Sequence, residues 1–137
     1  MEKGLVRERD GYKLLPKSQN GLPDAFNTLK IMRKAPILIL ILNENAKSPY
    51  KSIDADERIT EICDTLSIGA SVQNMLLTAT EMGLGTLWIA NTCFAYNELV
   101  NYIGTDNQLV GAIAVGYPDE QPIERPRKDI SKVLEYR

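Results

Sequence analysis

Residues 69–91 read GASVQNMLLTATEMGLGTLWIAN, and a change of period inside this stretch decides the fold. Up to Met82 the apolar residues recur at steps of three and four. Gly83 then stops the helix, Gly85 follows at once, and Gly85–Ala90 reads as a short strand carrying Trp88 to a polar end at Asn91-Thr92. Followed backwards, the helical spacing begins near Asp56 and takes in Ile59, Ile62, Cys63, Leu66, Gly69, Ala70, Gln73, Leu76, Leu77 and Thr80. Ile68, Val72, Met75 and Ala79 make the opposite side apolar too, so the spacing predicts a helix buried all round. At ~1.5 Å per residue it would be roughly 40 Å long. The small side chains of Gly69-Ala70-Ser71 would let another helix or a second copy approach closely.

Outward from this helix, residues 43–56 are a polar loop. Before it, Ile37–Leu42 is apolar on both faces, the pattern of a central strand covered on two sides. Pro36 separates that strand from a short helix ending at Lys34, for which Asp24 is the expected cap. Residues 1–23, punctuated by Gly11, Pro16, Gly21 and Pro23, read as poorly structured, with at most a short strand at Tyr12–Leu15. On the C-terminal side, Asn97–Ile103 reads as a helix ended by Gly104. Leu109–Val115 reads as a buried strand stopped by Gly116-Tyr117-Pro118, and Pro118, Pro122 and Pro126 keep the tail extended. The expectation is a single domain over residues 1–137, of mixed α and β structure.

Composition narrows the chemistry. Sixteen basic and eighteen acidic residues leave a net charge of -2, which argues against a nucleic-acid binder. The longest apolar run, Ala35–Leu42, is too short to span a membrane, and the charged start is no signal peptide, so a cytoplasmic protein is expected. The absence of histidine removes the commonest general base and the commonest metal ligand together. Cys63 and Cys93 lie too far apart for a CxxC pair, and without a base they fit core packing better than catalysis. Reactivity would have to come from a cofactor.

Two places could hold one. The glycine turn and the strand to Asn91 let backbone approach a flat ligand, although a plain helix end and a core tryptophan would look the same. In the tail, Arg125 and Arg127 alternate on extended chain beside Lys128. Both guanidinium groups can reach one side and suit a phosphate, or form a solvated charge cluster. Asp64 and Gln73-Asn74, inside the long helix, read as partners for another helix.

Taken in order, Gly69–Ile89, Phe94-Ala-Tyr-Asn-Glu98, Gln108–Pro118 and Arg125-Pro-Arg-Lys128 resemble the nitroreductase family of flavoproteins, over roughly residues 24–137. The resemblance implies an α+β fold with a mainly antiparallel sheet around a long buried central helix. It implies a homodimer with FMN in its interface, reducing nitroaromatics, quinones or similar acceptors with NAD(P)H by hydride transfer through flavin N5. By the same resemblance Trp88, Ile89, Ala90 and Asn91 lie against the isoalloxazine, with a backbone N–H of Ala90 or Asn91 on N5. Arg125, Arg127 and Lys128 fall where the family grips the phosphate. Family members usually begin with an Arg-Arg-Ser-x-Arg-like helix and a Pro-Ser/Ala-x-x-Asn-x-Gln-Pro-Trp-like stretch, and neither occurs here. The chain is therefore expected to be N-terminally truncated relative to the family. The alternative to an enzyme is a truncated, non-catalytic flavodomain that dimerises but holds FMN weakly or not at all.

Overall fold

The computed structural model describes residues 1–124 and 126–136. In chain order the elements are α1 (Glu2–Asp10), a 3-10 turn (Pro16–Gly21), α2 (Leu22–Lys34), β1 (Ile37–Asn43) and α3 (Ala55–Glu81). There follow β2 (Gly85–Ile89), a 3-10 turn (Asn91–Ala95), α4 (Tyr96–Ile103), β3 (Gln108–Gly116) and a last 3-10 turn (Ile130–Lys132). The strands form one antiparallel sheet in the order β1-β3-β2, with Ile37 opposite Val115, Gly85 opposite Gly116, and a register shift between Ile41 and Leu42. The α+β class and the antiparallel sheet agree with the sequence.

The alternation of the strands divides the core in two. On one face Leu40, Leu87, Ile89, Ala112 and Ala114 pack against Met32 and Ala35 at the end of α2. On the other, Trp88 meets Gly69 of α3, and Ile113 is fully buried. A second cluster joins Leu5 of α1, Leu22, Ala25 and Leu29 of α2, and Phe94. A third joins Ala95, Tyr96 and Leu99 to Leu109 at the start of β3.

Four expectations are corrected. First, Ile37–Leu42 is an edge strand, and the central strand is β3. The isoleucines and leucines of β1 satisfy a buried pattern, but β1 pairs on one side only and Ile37 is 56% exposed. Second, residues 1–23 are not loop. Glu2–Asp10 is helical, with Glu2 in its first turn and Arg7 and Arg9 in its last, where each charge suits the helix dipole, and Tyr12–Leu15 forms no strand. Burial of Leu5 and Glu8 docks it, and Gly4 sits so close to Ala95 that an added Cβ would lie 2.4 Å from that residue's Cβ. Third, the N-cap of α2 is Gly21 with no side-chain bond, while Asp24 lies in the first turn. Fourth, α3 is not buried all round in the single chain.

The α3 helix forms where the spacing placed it, and a capping box starts it. Asp54 accepts from the Glu57 N–H at 2.8 Å, and the Glu57 carboxylate accepts from the Asp54 N–H at 3.2 Å. Glu61, Val72 and Ala79 are its buried residues. Ile59, Ile62, Leu66 and Leu77, at helical spacing along another side, remain exposed, Leu66 to 70%. Gln73 and Asn74 are exposed too, and Asp64 accepts from Asn45 of the preceding loop at 3.0 Å rather than from a helix.

Candidate functional site

The end of β2 gathers four of the seven expected site residues. Trp88 points to the α3 side. Its indole lies against Gly111, where a Cβ would stand 3.6 Å from the indole nitrogen and 2.8 Å from the Ile89 carbonyl oxygen. Hydrogen at this Gly111 position is what lets strand and ring approach. Trp88 stays 42% exposed, whereas Ile89 points the opposite way and is buried. Ala90 is exposed and Asn91 half-buried.

Pairing with β3 ends at Ile89 opposite Ala112, and the chain turns into Asn91–Ala95. Ala90 is the N-cap of that turn and has no side-chain acceptor to offer. The leading N–H groups of such a turn have no partner within it, so any acceptor for them must come from outside the turn. The Asn91 carboxamide takes no part in capping. Its Nδ2 donates to Thr28 Oγ1 at 2.9 Å and to Asp24 Oδ2 at 3.2 Å, and its Oδ1 is buried without a partner.

The rest of the turn is held by side chains from elsewhere. Tyr50 donates its hydroxyl to the Cys93 carbonyl at 3.1 Å and meets Tyr96 edge to face, with ring centroids 5.5 Å apart. Burial, with Cys93 nearby, pushes the Tyr50 hydroxyl up to about 12, so it is a stable donor at neutral pH. Burial also pushes the Cys93 thiol up, which makes it a poorer nucleophile. Arg7 donates from Nη2 to the Phe94 carbonyl at 3.0 Å and pairs with Glu98 at 2.6 Å and Glu8 at 2.9 Å.

Glu8 is fully buried and accepts from the Leu14 and Leu15 N–H groups, both at 2.9 Å, and from Gln19 at 3.1 Å. Burial alone would raise its carboxyl. The two backbone donors and Arg7 outweigh that and hold it below the usual carboxylate range. Glu98 is lowered as well, first by its hydrogen bond from Arg7. Sequence reasoning missed Arg7, Glu8, Tyr50, Asp24 and Thr28. The one signal available was the charge order of α1, acidic at its start and basic at its end.

Of the phosphate-gripping candidates, Arg127 and Lys128 do not belong to this site. Arg127 and Lys128 are exposed, and among the described residues between Pro118 and Asp129 none is in helix or strand. Arg125 lies outside the described residues. Two clefts lie elsewhere. One is small, between the loop at Asn45–Lys47 and Glu61 of α3; the other, of about 300 Å³, lies beside α4 between Lys51, Asn97 and Asp106. The end of β2 is thus an open shelf, where the partly exposed Trp88 ring lies beside backbone that leaves strand pairing at Ile89.

A three-stranded antiparallel sheet between a long helix and a layer of shorter ones defines an α+β protein, with the shelf at the end of β2 as its candidate site. A family model described as the nitroreductase family matches residues 4–117, and the chain belongs to that family. The match starts 20 residues before the point at which the resemblance was expected to begin. It ends before Arg125, Arg127 and Lys128, and includes Trp88–Asn91.

Among solved structures, the chain is similar to the FMN-dependent nitroreductase NfnB from Mycobacterium smegmatis, in complex with NADPH. The TM-score is 0.61 at 16% identity, over 98% of this chain and 56% of that one. It is also similar to a nitroreductase-like family protein from Bacillus cereus, with a TM-score of 0.53 at 22% identity, over 98% of this chain and 64% of that one. These likenesses establish the fold, and the chain spans 56% and 64% of the two proteins' lengths. Among the described residues no helix is long and apolar enough to cross a membrane.

Proposed function

We propose that this chain is an FMN-dependent oxidoreductase of nitroreductase type, acting as a homodimer. The observation that carries the reading is the shelf at the end of β2, with an N-cap that cannot cap. An isoalloxazine needs a flat approach and a backbone donor for N5, and Ala90 and Asn91 fit both needs. When bound, FMN supplies the electron chemistry between NAD(P)H and a nitroaromatic, quinone or similar acceptor. The chain's own part is to orient and shield it. A backbone N–H of Ala90 or Asn91 would hold one atom of the ring, and the Trp88 edge and neighbouring backbone would limit where the ring can lie. The Arg125 and Arg127 forks, with Lys128, suit the FMN phosphate.

The shelf is open in a single chain, so a second copy is the proposed cover. The exposed row Ile59, Ile62, Leu66 and Leu77 on α3 is the surface that copy would use. The same openness, with Arg127 and Lys128 standing free of the shelf, favours a second reading: a flavodomain that dimerises but holds FMN weakly.

The test is the visible spectrum of purified protein, desalted after addition of FMN, followed by NAD(P)H oxidation with a nitroaromatic or quinone. Retained flavin bands with turnover support the enzyme. Bands lost on desalting, with a dimer in solution, support the second reading. A colourless monomer rejects both.

A further inference from the structure

We propose that Thr28 and Asp24, on α2, are positioning residues that aim the flavin-facing backbone at Ala90–Asn91 through the Asn91 side chain. The inference rests on the FMN reading of the shelf. The sheet cannot aim this segment, because pairing stops at Ile89 opposite Ala112. The turn after it cannot either, because Ala90 offers no cap. The bonds from Asn91 to Thr28 Oγ1 at 2.9 Å and Asp24 Oδ2 at 3.2 Å do it instead.

Residues 24 and 28 are four apart on α2 and so share one face, which makes them a two-point anchor for one amide. Thr28 is buried, so its hydroxyl is a fixed acceptor. The far end of the turn is braced independently, at the Cys93 carbonyl by Tyr50 and at the Phe94 carbonyl by Arg7. Asn91 Oδ1 is left buried and unpartnered, which costs stability. Donors fixed before the ligand arrives need no rearrangement to bind it.

The experiment uses the full chain with FMN, comparing wild type, Thr28→Val, Thr28→Ser, Asp24→Ala and, as a control for general destabilisation, Leu29→Ala from the core of α2. FMN affinity, the visible band of bound flavin and its midpoint potential are read alongside the thermal midpoint. Thr28→Val should weaken FMN about fivefold or more, the equivalent of one hydrogen bond, and should move both band and potential. Thr28→Ser should restore them, and Asp24→Ala should move them the same way by less. Leu29→Ala should lower the thermal midpoint and leave band and potential in place. Should Thr28→Val not fold, Asp24→Ala against Leu29→Ala decides alone. The proposal is overturned if Thr28→Val and Asp24→Ala bind FMN with the wild-type band and potential, or if Leu29→Ala moves them equally. Wild type that takes up no FMN overturns the FMN reading itself, and this proposal with it.

Discussion

The two sides of the sheet are finished to different degrees. On the α1–α2 side, Leu5 and Glu8 are fully enclosed, an arginine bridges two carboxylates, and the hydrogen-bonding capacity of Glu8 is taken up by backbone and Gln19. On the α3 side, a 27-residue helix lays three buried residues against the sheet and leaves a row of isoleucine and leucine in the open. One side is closed by the chain itself, and the other has the chemistry of a surface still to be covered. Substitutions should therefore act on folding on the first side and on association on the second.

The largest effect should come from the enclosed side. Leu5→Ala empties a fully buried site and should cost about 2–5 kcal/mol in urea unfolding; a loss under about 1 kcal/mol would mean that α1 is not docked as described. Glu8→Gln removes the charge opposite Arg7 and replaces one acceptor oxygen by a donor facing either the Leu14 or the Leu15 N–H. It should cost about 1–3 kcal/mol by the same measurement.

Acid should act on the same place. Glu8 and Glu98 both titrate lower in the folded chain than the ordinary 4.5. Their contribution is complete above that ordinary value and is lost as pH falls below it, through their folded values. Urea midpoints should thus be flat near neutrality and fall below pH 4.5, less steeply in Glu8→Gln. An equal fall in both proteins would mean that Glu8 does not carry the acid sensitivity.

The smallest effect on folding should come from α3. Leu66→Lys should stay within about 0.5 kcal/mol of wild type, yet shift sedimentation from dimer to monomer. A large folding loss would place Leu66 in the core of the chain, and an unchanged dimer would clear the α3 row of that role.

What the sequence revealed follows from this contrast. Periodicity located α3, β2 and β3 to within one or two residues, because period 3.6 and period 2 are local properties. It could not distinguish an edge from a centre, since Ile37–Leu42 is equally apolar in either place. It took α3 as buried because Ile59 and Leu66 look like core residues whether the cover is this chain or another. It missed α1 because a helix docked by Leu5 and one buried glutamate has too few apolar residues to show a stripe. The backbone part of the candidate site was legible as a turn and strand through Gly83, Gly85 and Trp88. Its supports were not, because Asn91 and Thr28 are 63 residues apart and meet only in the folded chain.

If FMN rests on the backbone shelf at Ala90–Asn91, amide chemical shifts of the ¹⁵N-labelled chain during FMN titration will register it there. The Ala90 and Asn91 amides should move most, with smaller changes along the exposed row of α3. Saturable shifts confined to the cleft between Lys51, Asn97 and Asp106, with Ala90 and Asn91 unmoved, would contradict it.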